Sequence, residues 1–178
     1  MINKGGSNIA FVYGSLRVGH GNGAWANDLE RVIARQVPIK GYKLYGFGGY
    51  PGINRSDNEE DILYVDIIDY DDSTFQSVES MELGAGYDSV TITVNHNGVD
   101  YTGQIYIYRR PLENSHYPLV ENGDWNSFRT PRFPEHIALV DKYIAERNEN
   151  KEGILSSTEV QAPVTQTVEE ESGVEVAD

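Results

Sequence analysis

The chain has 178 residues, 39% hydrophobic and 11% aromatic, a length and composition that suit one folded domain with a substantial core rather than a disordered polymer. Its 28 acidic residues against 14 Lys and Arg leave a formal charge of -14, which repels phosphate backbones and anionic headgroups and argues against nucleic-acid and membrane-surface partners. The absence of cysteine excludes disulfides, thiolate nucleophiles and Cys-ligated metals, and no apolar run reaches the length of a membrane span or a signal peptide, so a cytoplasmic protein is the default expectation.

Ile9 to Tyr13 reads as a buried first strand closed by Gly14 and Ser15, and a polar, glycine-rich loop follows from Arg17 to Gly23. Trp25, Leu29, Val32 and Ile33 recur at helical spacing, which predicts an amphipathic helix over 24–36 ended by Pro38 and Gly41. A short strand from Tyr42 to Tyr45 precedes a turn-rich stretch over 46–58, and the β-branched run from Asp61 to Tyr70 is the next strand. Asp71, Asp72 and Ser73 carry N-cap chemistry for a helix from Thr74 to about Glu82. Val90, Ile92 and Val94 alternate along the strand from Tyr87 to Asn95, and Asn97-Gly98 turns it into a hairpin with Tyr101 to Arg110. A turn over 122–125 leads to a final helix from Glu135 to about Arg147, with Ile137, Val140 and Ile144 on one stripe. The composition then changes: residues 151–178 hold one Lys and seven Asp or Glu, a net -6 of the total -14. The expected organisation is therefore a domain over 1–148 and a disordered acidic tail over 149–178, either a solubilising arm or a docking segment for a basic protein partner.

Two segments carry chemistry. Where the first strand breaks into Gly14-Ser15-Leu16, unpaired backbone N–H groups form a nest able to hold a carboxylate or an oxyanion, although an ordinary strand-to-loop turn reads the same way. Glu79 and Glu82 supply carboxylates for proton transfer, or are simply solvated acids at a helix end. Tyr87 and Tyr108 are candidate hydrogen-bond donors to a pocket, with core or rim tyrosines as the plainer reading. Arg17 either braces the loop against a buried carboxylate or is a surface charge. His20, His96, His116 and His136 show no metal-ligand spacing, so no metal is expected. The segments over 19–23 and 46–49 lack the Lys-Ser/Thr of a P-loop and the strand–helix context of a dinucleotide fingerprint, and read as flexible rims. Ser15 has no nearby His and Asp that would make it a nucleophile.

Val12-Tyr13-Gly14-Ser15-Leu16-Arg17, Gly41-Tyr42-Lys43-Leu44-Tyr45, Tyr50-Pro51-Gly52, Val78-Glu79-Ser80-Met81-Glu82 and Gly123-Asp124-Trp125 follow one another in the order seen in the gamma-glutamylcyclotransferase-like, or AIG2-like, family. Over roughly residues 9–128 the chain resembles that family, and its gamma-glutamylamine cyclotransferase type in particular. The resemblance implies an α+β fold, a small mixed β-barrel flanked by helices, with the Tyr-Gly-Ser-Leu loop and one Glu facing a shared cavity. It also implies a reaction without cofactor: the α-amino nitrogen of a γ-glutamyl amine or related small compound attacks its own γ-carbonyl, releasing 5-oxoproline and a free amine. On that pattern Glu82 is the catalytic base and then acid, with Glu79 as the fallback, since Val78 and Glu79 stand where the family has Leu-Asp. Tyr13, Gly14, Ser15 and Leu16 form the substrate cradle, and partial burial is expected to raise the Glu82 pKa. Where relatives have a Gly-Glu pair, this chain reads Ile62-Leu63-Tyr64-Val65-Asp66-Ile67, which bears on the pocket wall, and the polar stretch over 53–60 is the expected place for substrate selectivity. Two competing readings share the fold: a non-catalytic binding or assembly protein that uses the acidic tail, and a lyase or transferase acting on a modified amino acid.

Overall fold

The computed structural model describes residues 3–4 and 8–159, among which the alternating and β-branched runs build nine strands and the segments between them four helices. The strands are β1 (Asn3–Lys4), β2 (Ile9–Val12), β3 (Val32–Lys40), β4 (Tyr42–Gly46), β5 (Pro51–Arg55), β6 (Ile62–Asp69), β7 (Tyr87–His96), β8 (Val99–Tyr108) and β9 (Leu119–Val120). The helices are α1 (Gly23–Ala26), α2 (Asp72–Gly84), α3 (Trp125–Phe128) and α4 (Pro134–Glu159). In the main sheet β7 pairs antiparallel with β8, whose other edge takes β1 and β2 in parallel, and β2, β6 and β3 continue antiparallel. A second, antiparallel sheet runs β5-β4-β9.

Period-two alternation divides the main sheet into two faces. Ile9 and Phe11 of β2 join Leu63, Val65 and Ile67 of β6 and Ile105 of β8 in a core closed by Leu44, Ile53 and Val120 of the small sheet. Ala10 and Val12 face the other way, toward Ile68, Tyr70 and the α2 residue Val78. Helix α2 starts where the sequence indicates, with the Asp71 side chain accepting from the Thr74 N–H at 2.7 Å. Ile137, Val140 and Ile144 of α4 pack with Val18 and Val32, as their spacing predicts.

The α+β class agrees with the sequence, but the barrel is not closed. Among the described residues the outer strands β7 and β3 do not pair with each other. Pro38 withholds a donor on β3, and the polar side chains of Asp88, Thr91, Thr93 and Asn95 line exposed positions of β7, both of which suit open edges.

The helix expected over 24–36 is not formed. Helix α1 stops at Ala26, a 3-10 turn spans Leu29–Arg31, and Val32–Lys40 is a strand paired with β6. Val32, Ile33, Val37 and Ile39 are β-branched, and burial against β6 outweighs a helical spacing that four apolar residues satisfied by coincidence. The stretch over 46–58 contains strand β5, which its glycines and proline concealed. The last helix runs to Glu159 and not to about Arg147, since no proline interrupts it before Pro163. Residues 149–159 of the expected tail are thus helical, and 160–178 lie outside the described residues. The chain divides into a body, Met1–Ala145, and a second unit, Glu146–Asp178. No helix among the described residues is long and apolar enough to cross a membrane.

Candidate active site

The loop after β2 is held by its carbonyls. Arg17 N–H donates to the Gly14 carbonyl at 2.9 Å, Gly23 N–H to Ser15 at 2.9 Å, Asn27 Nδ2 to Leu16 at 2.7 Å and His20 N–H to Arg17 at 3.1 Å. The N–H groups of Gly14, Ser15 and Leu16, in contrast, find no acceptor in the protein among the described residues. A turn with its acceptors used and its donors unpaired is able to hold an anion. Gly14 allows this closeness, because a Cβ there would collide with the Pro51 ring.

Behind the loop sits a buried charge cluster. Arg17, with no exposed surface, donates Nε to Asp66 Oδ1 at 3.3 Å and Nη1 to Asp124 Oδ1 at 2.9 Å, and its Nη2 bonds Gln36 Oε1. The second Asp66 oxygen accepts from Val18 N–H at 2.9 Å, and Gln36 N–H reaches Asp66 Oδ1 at 3.1 Å from a bulge in β3 where Gln36 has φ 56°. Arg17 therefore ties the loop to β6, β3 and the start of α3. Asp66, in the strand that departs from the family's Gly-Glu pattern, is an anchor of this cluster and does not line the cavity.

A cavity of about 270 Å³ opens in front of the loop. Tyr13, Gly14, Ser15, Leu16, Glu82 and Tyr87 all line it, so six of the residues singled out from sequence meet in one place. Glu82 projects from the last turn of α2, and no hydrogen bond or ion pair reaches its carboxylate among the described residues. Burial alone pushes its pKa up to about 7. Glu79 does not line the cavity. Tyr13 Oη donates to the Tyr106 carbonyl at 2.6 Å and Tyr87 Oη to the Pro51 carbonyl at 2.5 Å, so both rings are fixed as walls. Desolvation, with the Glu82 charge adding to it, raises both phenols above their ordinary range.

Tyr108 is displaced from its expected place. It packs against Phe47 and Tyr87 with ring centroids 5.0 and 5.3 Å away and does not reach the cavity. Its neighbour on the same strand face, Tyr106, does. The Tyr106 hydroxyl is buried and has no hydrogen-bond partner among the described residues. The period of two along β8 carried this signal, one step from the residue selected. The stretch over 53–60 is also displaced: Asn54, Arg55 and Ser56 line a separate depression with Lys43 and Arg110, while Gly49, Tyr50 and Pro51 border the cavity. Among the described residues no three His, Asp or Glu side chains are grouped as metal ligands.

The sequence model of the family described as gamma-glutamyl cyclotransferase, AIG2-like, matches residues 10–127, which contain this loop and Glu82. The chain belongs to that family. As a member of the gamma-glutamyl cyclotransferase, AIG2-like family it is a cyclising enzyme of the gamma-glutamylcyclotransferase-like kind. Among curated relatives it is similar to the gamma-glutamylcyclotransferase family protein YtfP of Escherichia coli, 27% identical over 115 residues that cover 65% of this chain and 93% of the relative. The crystal structure of a protein from Pyrococcus horikoshii shares the family fold with a TM-score of 0.50 at 22% identity, over 69% of this chain and 93% of the other. That of YkqA from Bacillus subtilis matches with a TM-score of 0.53 at 22% identity, over 68% of this chain and 40% of the other.

Proposed function

We propose that this gamma-glutamyl cyclotransferase-like enzyme converts a small γ-glutamyl compound, with γ-glutamyl amines as the first candidates, into 5-oxoproline and a free amine. The reading rests on one observation, a desolvated and unpaired Glu82 sharing a cavity with three free backbone donors. With a pKa near 7, Glu82 is poised to take a proton from the substrate's α-amine and to give it back later. The α-amino nitrogen, entering as the free amine, bonds to the γ-carbonyl carbon as this proton leaves it for Glu82, and negative charge moves onto the carbonyl oxygen. The N–H groups of Gly14, Ser15 and Leu16 receive that charge, or the substrate carboxylate, in water-poor surroundings. As the intermediate collapses the bond to the leaving nitrogen breaks, and the proton held on Glu82 passes to that nitrogen. No water enters the balance, and folding the chain of one substrate molecule supplies the proximity. The Tyr106 hydroxyl, unpartnered in the protein, is assigned a hydrogen bond to the bound γ-glutamyl group.

The direct test is 5-oxoproline release from a panel of γ-glutamyl amines, amides and peptides. Wild-type protein is expected to release it from at least one class, and Glu82→Gln to lose that release while keeping its fold by circular dichroism. An inert wild type across the panel, or full activity in Glu82→Gln, overturns the reading.

A further inference from the structure

Glu82 stands just before a hinge. Helix α2 ends at Gly84, Ala85 caps it, and Gly86 takes φ 101° to turn the chain into β7. Two glycines in three residues leave this connection conformationally permissive. Apolar packing does little to fix it: within α2 only Val78 is fully buried, Met81 is partly buried and Leu83 is exposed. Yet the same stretch is a cavity wall, since Met81, Glu82, Ala85 and Tyr87 all line it.

Arg109, the first residue after β8, grips this connection from outside the cavity. Its backbone N–H donates to the Gly86 carbonyl at 3.0 Å, and its Nη2 donates to the Leu83 carbonyl at 3.2 Å and to the Tyr87 carbonyl at 3.0 Å. Nε donates to Asp88 Oδ1 at 2.7 Å, which aims the fork. One side chain thus bonds residues on both sides of the glycine turn. The Met81 and Glu82 carbonyls accept from the Ala85 N–H, whereas that of Leu83, one of the last-turn acceptors a helix leaves open, depends on Arg109. The titratable groups that sense the Glu82 charge are the phenols of Tyr13, Tyr70, Tyr87 and Tyr106, and burial alone raises the Glu82 pKa. Arg109 therefore reaches that carboxylate through the backbone and not through its charge.

We infer that Arg109 is a positioning residue: it clamps the α2–β7 connection from behind and so holds the Glu82 carboxylate in the cavity shared with the Gly14 to Leu16 donors. The inference rests on the cyclotransferase reading for what Glu82 does, but not for where Glu82 is held. A lysine offers one ammonium in place of a fork, so charge alone does not replace the clamp.

Two measurements on the full chain test it. The Glu82 carboxyl resonance, assigned by its loss in Glu82→Gln, is followed by NMR against pH, and kcat and KM are measured on any γ-glutamyl compound that wild type turns over. In Arg109→Ala the carboxylate is released toward water, so its titration is expected to move from about 7 toward 4.5. With it kcat is expected to fall at least about tenfold while KM stays within about twofold. Arg109→Lys is expected to recover only part of either change. Arg110→Ala removes the same charge one residue further on, where no side-chain bond to this connection exists among the described residues, and is expected to change neither. Thermal melts confirm that each variant is folded; if Arg109→Ala does not fold, Asp88→Asn, which releases only the aim of the fork, replaces it with the same expected directions. An unshifted Glu82 titration in the folded variant, full recovery in Arg109→Lys, an equal change in Arg110→Ala or a wild-type titration near 4.5 overturns the clamp. A shifted titration with unchanged kcat upholds the clamp and removes Glu82 from the reaction. Where wild type turns over nothing, the titration decides alone: a shift upholds the clamp while the cyclotransferase reading fails, and no shift overturns both.

Discussion

Arg17 and Glu82 are two ionisable side chains withdrawn from water, one behind the loop after β2 and one in the cavity in front of it, and the protein treats them in opposite ways. Arg17 is fully buried and bonded to Asp66, Asp124 and Gln36, while Glu82 is largely desolvated and bonded to nothing among the described residues. A buried charge that has a scaffolding task is neutralised at once by its neighbours. Glu82, proposed above to move a proton, is left without a partner among the described residues, and its pKa climbs to about 7. Tyr106 repeats the contrast among hydroxyls, unpartnered where Tyr13 and Tyr87 are satisfied.

The largest effect expected from breaking this contrast is on the scaffold. Arg17→Met leaves Asp66 as a buried charge without its cation, and denaturant unfolding is expected to show a loss of about 3–5 kcal/mol. A loss under about 1 kcal/mol would mean that the cluster is solvated and the comparison fails. Glu82→Gln should do the reverse, cutting 5-oxoproline release by at least about a hundredfold with no loss of stability.

The pH dependence sharpens the same point. Unfolded, Glu82 releases its proton near 4.5; folded, it holds it until about 7. The native state therefore binds more protons across that window, and the Glu82 contribution to stability falls as pH rises from 4.5 to 7 and is level above it. Relative to Glu82→Gln, wild type should lose at most about 3 kcal/mol over this range, read as diverging melting temperatures between pH 4.5 and pH 8. The acid limb of kcat/KM should fall near pH 7. Parallel melting curves, or a limb near 4.5, would show an ordinary solvated carboxylate. The smallest expected effect is that of Tyr106→Phe, which removes an unsatisfied buried hydroxyl: stability is retained or gains up to about 1 kcal/mol, while KM rises about tenfold. If KM does not change, Tyr106 is a wall and not a contact.

Much of this arrangement could be read along the chain. The hairpin at Asn97-Gly98, the Asp71 cap and the alternation of the β2 and β6 residues are local matters, decided by turn chemistry and side-chain period within a few positions. The donor-rich turn at Gly14 to Leu16 and the acid at Glu82 were visible for the same reason, each being a short motif. The apolar spacing over 24–36 suits a helix, whereas the conformation there is settled by pairing with β6, some thirty residues downstream.

What local pattern could not decide is which polar groups meet and which are left alone. Arg17 finds Asp66 and Asp124 across separations of 49 and 107 residues, and Tyr106 and not Tyr108 reaches the cavity. Backbone propensity and periodicity act over a few residues, so they place strands, caps and turns. Desolvation and charge pairing act through space, and only the packed sheets and helices determine whether an arginine is neutralised, a glutamate stays unpaired or a hydroxyl is left free to bind a substrate.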